Sequence, residues 1–389
     1  MNFYLLDDDL NYIQLIEVYT SMIWTTRYYT AGDFELYTPA TEKLLNTLQR
    51  GYYIVRDDDL TQAMIISNFE VKTDVENGDY ITVTGQSLKS ILNRRIIWAQ
   101  TVLNGNVETM ARKLVTDNAI NPTIAARKIP RLVLGDTIGL TGTIEAQYTG
   151  DNLGETLTAI GQTYGIGYDV LLDLENKQFK FVLLQGQNRT YNQDVNPRVV
   201  FSNEFENLLT TDYTYNSDNY KNVALVAGEG EGTARTTATI GTASGLDRYE
   251  LFVDARDVSS NDGEITATEY NNLLLERGAQ DLAETIITES IEGEIEPNYT
   301  YQLNRDYFLG DLVEVINAYG VSMSPRITEV IECTDTNGYT CIPTFATDEA
   351  DTQPTVNAIL TEDGNNIITE DGNNIITEDG KILYVGCKK

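Results

Sequence analysis

The sequence predicts a β-rich α+β protein, with antiparallel sheets of the small-barrel or sandwich kind and helical segments inserted between them. Three observations predict this class. Short strands separated by turns fill residues 299–345, a similar strand pattern recurs in outline near the N-terminus, and two helical segments with a hairpin lie between.

Residues 1–99 form the first predicted unit. Its strands alternate apolar and polar residues and are rich in β-branched and aromatic side chains. Thr41 is a predicted N-cap for one short helix, and a second short helix is expected at 86–95. The predicted strands are 13–18, 21–29, 34–36, 52–56, 63–69 and 80–85.

Three consecutive aspartates, 57–59, occupy the turn between the predicted strands 52–56 and 63–69. Carboxylates grouped in this way suit Ca²⁺, which prefers several oxygen ligands. A solvated hairpin tip has the same composition. The solvated hairpin tip is the favoured interpretation.

Residues 100–200 predict a compact α+β insert. Helical spacing covers 107–119 and 152–164, with Asp151 as the expected cap of the second helix and Gly165 at its end. Residues 168–174 and 177–185 are expected to pair as a hairpin.

Strands return at 198–201, 208–215, 222–229 and 249–253. The GEGEG segment at 228–232 has no Lys-Ser/Thr after its glycines, and its glutamates repel phosphate, so we interpret it as a strand end or hinge. The longest predicted helix spans 267–292, opened by Thr266 or Thr268 with Glu269.

The stretch 299–345 is the clearest part of the sequence. A β-branched run at 312–316 follows the Gly310-Asp311 turn, and 326–332 alternates with period two. The turn 336–338 then predicts a hairpin. Cys333 and Cys341 flank it, and a three-residue loop would place them opposite one another. A disulfide is feasible, but two free thiols are the expectation.

Residues 346–389 are expected to be a linker followed by an appendage. From Leu360 an eight-residue repeat places TEDG at 361–364, 369–372 and 377–380. Asp363, Asp371 and Asp379 are the candidate metal ligands, as a Ca²⁺ ladder. Solvated turn carboxylates are the favoured interpretation.

Composition excludes several function classes. The chain of 389 residues has a net charge of −32, which opposes binding to nucleic acid phosphates. It contains no histidine, so the usual Ser-His-Asp and Cys-His catalysis and histidine-ligated zinc are excluded. The start is acidic, unlike a secretory signal, and no apolar run approaches membrane-spanning length, so no membrane anchor is expected.

Several motifs carry a resemblance to a known family. They include Ser21-Met22-Ile23-Trp24, the segment 32–36, and Asn219-Tyr220-Lys221-Asn222, together with 307–315 and 326–332. Over roughly 1–345 the chain resembles the Gp37-like tail-hub proteins of long-tailed bacteriophages, relatives of the baseplate hub. The repeats lie outside the resemblance.

The resemblance implies two tail-tube-like antiparallel β-barrels, at 1–99 and at 201–235 with 296–345. It assigns 100–200 with 236–295 to the inserted α/β portion. It also implies a homotrimer whose six barrels form a pseudo-sixfold ring at the tail tip or baseplate of the virion, made in the host bacterial cytoplasm. The implied partners are a distal tail or tube protein on one face and a tail-tip, fibre or spike protein on the other, with genome DNA passing through unbound.

Three functions are compatible with these features. The first is a structural tail hub that is not an enzyme and holds no cofactor. The second is a Ca²⁺-dependent receptor-binding or adhesin module based on the TEDG repeats. The third is a wall glycosidase with a carboxylate pair, for which the sequence nominates no residues.

Overall fold

The computed structural model describes residues 2–75, 78–296 and 300–347. The predicted linker and repeats lie outside the described residues from 348 onward. Seven strands form the N-terminal part: β1 (Phe3–Leu6), β2 (Tyr12–Ile16), β3 (Ser21–Arg27), β4 (Asp33–Pro39), β5 (Tyr53–Arg56), β6 (Ala63–Lys72) and β7 (Tyr80–Ser87).

Five strands belong to the following segment: β8 (Thr101–Asn106), β9 (Leu132–Leu134), β10 (Thr143–Tyr148), β11 (Gly167–Asp173) and β12 (Gln178–Leu184). Ten more complete the described chain: β13 (Val200–Ser202), β14 (Asp212–Asn216), β15 (Val223–Ala227), β16 (Thr237–Ile240), β17 (Glu250–Asp254), β18 (Thr288–Glu292), β19 (Glu314–Ile316), β20 (Ser322–Met323), β21 (Arg326–Asp335) and β22 (Gly338–Ala346).

The α-helices are α1 (Glu42–Thr47), α2 (Val107–Val115), α3 (Leu153–Tyr164) and α4 (Ala267–Ala283). Shorter helical turns are the 3₁₀ segments Leu88–Arg94, Ala125–Arg127, Gly232–Ala234, Gly245–Asp247 and Asn261–Gly263, and a π-helical turn at Thr116–Ile120. The β-rich class with some helices is thus confirmed.

One antiparallel sheet of eleven strands dominates the fold. Its strand order is β14-β18-β22-β21-β3-β4-β7-β6-β5-β1-β2. The N-terminal and C-terminal strands join where β3 pairs with β21, from Arg27 opposite Glu329 to Ser21 opposite Asp335. This pairing unites the two predicted sheet units into a single surface.

The N-terminal half of this sheet curls over its own core. Phe3 on β1 stacks on Trp24 on β3 with ring centroids 6.2 Å apart, although five strand-to-strand steps separate these strands in the sheet. Helix α1 covers the core with Leu44 and Leu48. Its N-cap is Thr41, as predicted, whose hydroxyl accepts from the N–H of Leu44.

The C-terminal half has a second core. The small sheet β13-β19-β20 packs against β18, β21 and β22, burying Phe201, Tyr307, Val315, Ile327 and Phe345 completely or nearly so. Each half therefore wraps a core of its own. The described strands of the long sheet form an open sheet whose first and last strands are not paired with each other, so closed barrels stay a prediction.

Residues 100–200 pack on the outside of the N-terminal half, as a compact α+β segment. The pairs β8–β10 and β11–β12 are antiparallel, while β9 adds to β12 in parallel. Their apolar side chains share one core with Leu6, Val55 and Ile65 of the long sheet. Helix α3 is capped by Asn152, whose side chain accepts from the N–H groups of Gly154 and Glu155.

The predicted cap Asp151 is therefore wrong by one residue. Its carboxylate instead accepts from the N–H of Thr149 in the preceding turn. Gly165 ends the helix in the left-handed conformation, with φ of 64°, as the sequence predicts.

Helix α4 is shorter than predicted. Thr266 and Glu269 form the expected capping box, but the helix ends at Ala283, and Thr288–Glu292 is strand β18 of the long sheet. Threonine and isoleucine at 285–288 favour an extended chain. Strand β15 also differs, because it pairs with β16 and β17 beneath α4, not with the sheet of its predicted unit.

The β21–β22 hairpin has a two-residue loop, since Asp335 lies opposite Gly338. Cys333 consequently faces Thr340, and Cys341 faces Glu332. Adjacent residues of a strand point to opposite faces, so the two cysteines lie on opposite sides of the sheet. Both are free thiols, and the cross-hairpin geometry expected from a three-residue loop is wrong.

Tyr28 lies where the N-terminal half, the insert and the C-terminal half meet. Its hydroxyl donates to the carbonyls of Gly165 and Leu184, at 3.2 and 2.9 Å, and accepts from the N–H of Gly186. The backbone of Gly310 lies directly against its ring, and the side chain is fully buried. Tyr28 therefore holds the N-terminal half, the insert and the C-terminal half in contact with one another.

Candidate functional site: the polar face of the long sheet

Eight neighbouring strands of the long sheet, β14-β18-β22-β21-β3-β4-β7-β6, form a part whose two faces differ in composition. On the core face, Trp24, Leu36, Val83, Ile291 and Phe345 are buried. The register of the strand pairs places alternate residues together on the opposite side, which we call the polar face. Among the described residues most of these side chains are intermediate or exposed, whereas Thr25, Ile65 and Arg326 on this side are buried.

The polar face is acidic. Its exposed and half-buried members include seven carboxylates, Asp33, Glu35, Glu70, Asp212, Glu292, Glu329 and Asp335, and two cations, Arg27 and Lys72. Much of the remainder is hydroxyl-bearing: Ser21, Thr25, Thr82, Thr84, Thr214, Thr288, Ser290, Thr340 and Thr344.

Arg27 is held at the middle of this face. It pairs with Glu329 and, at 2.5 Å, with Asp33. Desolvation lowers its pKa, but the hydrogen bonds and charges of the two carboxylates outweigh this and raise the pKa. Among the described residues, Glu35, Asp212, Glu292 and Asp335 have no cation within 4.0 Å that would offset their charge.

A cleft of about 660 Å³ lies at the C-terminal end of β5, away from the polar face. It is lined by Asp57, Asp58, Asp59 and Glu332 beside three tyrosines. Each carboxylate of the 57–59 turn has its own protein partner. Asp57 accepts from Asn2, Asp58 from Arg56, and Asp59 from Thr61. In the described ranges no cluster of three or more acidic or cysteine side chains is arranged to hold a metal ion.

The same contacts bear on carboxylate catalysis. The hydrogen bond from Arg56 lowers the pKa of Asp58. A glycosidase acid needs a raised pKa, so this position is tuned in the opposite direction. The candidate metal ligands Asp363, Asp371 and Asp379 lie outside the described residues, and the Ca²⁺ ladder stays a prediction.

Sequence reasoning did not nominate the polar face. Period-two alternation is visible within single strands such as 326–332, but the neighbours of each strand come from parts of the chain up to about three hundred residues apart. Within the described ranges, no helix is long and apolar enough to cross a bilayer.

Solved structures of phage tail proteins share this fold. The prophage MuSo2 43 kDa tail protein of Shewanella oneidensis is 12% identical, with a TM-score of 0.56, covering 90% of this chain and 99% of that one. A tail protein of Neisseria meningitidis MC58 is 14% identical, with a TM-score of 0.54 and coverage of 90% and 98%. Prophage tail protein gp18 of Listeria monocytogenes EGD-e is 10% identical, with a TM-score of 0.51 and coverage of 90% and 95%.

The fold is therefore of the phage tail class. The chain belongs to the family described as Siphovirus ReqiPepy6 Gp37-like protein, which matches residues 2–346. No curated protein matches the chain. The resemblance drawn from the sequence motifs is confirmed, and the protein is a tail component of the virion.

Proposed function

We propose that this protein is a tail hub in which three copies form a pseudo-sixfold ring that joins the tail tube to the tail tip. The observation that carries the proposal is the pair of sheet halves, each with a core of its own, joined through β3 and β21 in one chain. Three chains supply six such halves, each contributing strands with the same two-faced character.

The polar face would line the ring. Its excess of carboxylates denies DNA the counterion release that makes duplex bind to a basic surface. The Ser and Thr side chains between the charges are short, so they project little into the channel, and their hydroxyl groups keep its wall hydrated. DNA would therefore pass during ejection without adhering, while a tube protein and a tip or spike protein bind the two ends of the ring.

The role is structural and not enzymatic. The lowered pKa of Asp58, together with the protein partners of Asp57 and Asp59, argues against a glycosidase acid at the 57–59 turn. A peptidoglycan-clearing assay separates the two, because catalytic turnover would favour the enzyme. The Ca²⁺-dependent adhesin depends on repeats outside the described residues and is tested by calorimetry with Ca²⁺ on the full chain.

The oligomeric state tests the hub directly. Each chain has a mass of 43.5 kDa, so native mass measurement should give a species of about 130 kDa. Electron microscopy of that species should show a ring with a central opening. A different closed stoichiometry, or a ring lined by Lys and Arg, would overturn the proposal.

A further inference from the structure

Within the residues that the structure describes, the eight-strand part of the long sheet ends in two unpaired edges of equal length. At one end β14 pairs with β18 alone among the described strands, and all five of its residues are exposed. At the other end β5 pairs with β6 only as far as Ile65, and residues 68–72 of β6, all exposed, have β7 as their one described partner strand. Both edges therefore offer backbone groups to another strand.

The outward backbone groups of β6 can be assigned. The N–H of Ala40 donates to the carbonyl of Asp79, so the odd-numbered residues 79–85 of β7 bond to β4. The even-numbered residues of β7 then bond to β6, through Asn68, Glu70 and Lys72. Phe69 and Val71 consequently direct their N–H and C=O groups away from the sheet.

The outward backbone groups of β14 follow from its pairing with β18. The N–H of Thr347 donates to the carbonyl of Glu289 at 3.0 Å, so 289 and 291 of β18 bond to β22. Residues 288, 290 and 292 then bond to β14, through alternate residues beginning at Asp212. Tyr213 and Tyr215 are left with outward N–H and C=O groups.

The side chains of the two edges match as well. Phe69 and Val71 lie opposite Val83 and Ile81, so they share the core face, and they are 44% and 40% exposed. On β14, Tyr213 lies opposite the buried Ile291 and so points to the core face too, with Tyr215 beside it. The residues with outward backbone groups are thus the apolar, core-facing ones on both edges.

We propose that residues 68–72 of one copy pair antiparallel with β14 of a second copy, with Phe69 opposite Tyr215 and Val71 opposite Tyr213. This rests on the proposed ring and names the surface through which neighbouring copies bind. In this register Lys72 lies opposite Asp212, which joins opposite charges across the contact. All five residues of each edge are paired.

Other registers are poorer. A shift of one residue places Phe69 and Val71 opposite side chains of the polar face, which separates the apolar residues. A shift of two retains the faces but removes two of the five residue pairs and the contact between Lys72 and Asp212. Because eight is even, the first and last strands run in opposite directions, so rotation about a common axis brings them together antiparallel.

Cysteine cross-linking tests the register. Glu70 and Thr214 would face each other as a pair without mutual hydrogen bonds, where Cβ atoms lie closest. The double variant Glu70→Cys/Thr214→Cys should give covalently closed trimers on oxidation and non-reducing electrophoresis. The offset variant Glu70→Cys/Asn216→Cys should give about tenfold less product, since these positions would be diagonal neighbours. Wild type under the same oxidant gives the background from native thiols.

Each outcome is informative. Cross-linked trimers support the pairing and the ring, whereas open-ended covalent polymers support the pairing and contradict a threefold ring. A native trimer in which Glu70→Cys/Thr214→Cys stays uncross-linked overturns the pairing and leaves the ring standing. Cross-linking by Thr214→Cys alone would show two β14 edges pairing with each other, which also overturns it.

A charge exchange gives a second test. Lys72→Glu or Asp212→Lys alone should weaken association about threefold by placing like charges opposite one another. The double variant Lys72→Glu/Asp212→Lys should restore it, because the pair is re-formed with reversed polarity. Equal weakening in the single and double variants, measured by sedimentation, would contradict the proposed contact.

Discussion

Arg56 on β5 and Glu332 on β21 form an ion pair buried between the two halves of the long sheet. Their side chains are 7% and 6% exposed, and one guanidinium nitrogen of Arg56 also donates to the second carboxylate oxygen at 3.1 Å. Arg56 lies over the Trp24 ring, and Glu332 accepts from Tyr339. The pair therefore joins residues 276 positions apart at the seam of the fold.

Breaking this pair should strongly destabilise the protein. Glu332→Gln leaves the buried Arg56 charge with Asp58 as its one remaining ion-pair partner among the described residues, and we expect a loss of about 3 kcal/mol or more in urea unfolding. The control is Lys113→Ala, which removes an exposed pair with Asp117 and should change stability by about 0.5 kcal/mol.

Replacing both partners gives the complementary result. Arg56→Met/Glu332→Leu removes both charges and should recover most of the loss of Glu332→Gln, because buried pairs are costly to desolvate. A double variant as unstable as the single one would show that the pair stabilises through its net interaction.

Gly310 should be intolerant of any side chain. Its φ is +94°, and an added Cβ would lie 2.2 Å from the Tyr28 ring. Gly310→Ala combines backbone strain with a clash against a fully buried side chain, so we expect a loss of about 3 kcal/mol by denaturant unfolding. Gly139 has φ of +80° with nothing within 4 Å, and Gly139→Ala should cost only about 1 kcal/mol. Similar losses at the two sites would mean that Tyr28 can move aside.

Local structure was predictable from the sequence because local chemistry determines it. Thr41 as a cap, the Thr266–Glu269 capping box and the Gly165 helix end are each specified within a few residues. The end of α4 was not, since no Gly or Pro follows Ala283, and the chain leaves the helix because 288–292 pairs with β14 and β22.

The candidate site could not be predicted for the same reason. The polar face arises only when β3 pairs with β21, and a register between strands about three hundred residues apart leaves no local signal. The positions of Cys333 and Cys341 show how sensitive the outcome is. One residue of loop length decided whether they faced each other, and sequence left that length undetermined.

Glu108 should make stability depend on pH. Its buried carboxylate accepts from the N–H groups of Ile138, Gly139 and Leu140 at 2.8 to 3.0 Å. Desolvation raises its pKa, but these three donors outweigh it and hold the pKa below the ordinary 4.5. The stabilisation is therefore fully present above pH 4.5 and is lost as pH falls through the lowered pKa.

Glu108→Gln removes this ionised acceptor. At pH 7 we expect a loss of about 1–3 kcal/mol in urea unfolding, and the gap to wild type should narrow as the pH falls below 4.5. Glu155, exposed in the first turn of α3, is the matched control, and Glu155→Gln should cost less than about 1 kcal/mol. A gap that stays constant down to pH 3 would show that the charge of Glu108 contributes nothing.

Reversing charge on the polar face should create DNA binding. Glu35 and Glu292 are exposed there without an ion pair among the described residues, so Glu35→Lys/Glu292→Lys adds cations without breaking a contact. If the face lines a ring, the assembled protein should retain duplex DNA at low salt, with affinity falling steeply as salt rises. Fluorescence anisotropy of labelled duplex measures this, with wild type expected to bind weakly at every salt concentration.

The control places the same charge change elsewhere. Glu155→Lys/Glu175→Lys alters two exposed residues of the insert by an equal amount, so it has the same net charge as the polar-face variant. We expect it to bind duplex at least about tenfold more weakly, because its cations do not surround the DNA. Equal affinity of the two variants would mean that net charge alone governs binding, and the polar face would then have no special relation to a channel.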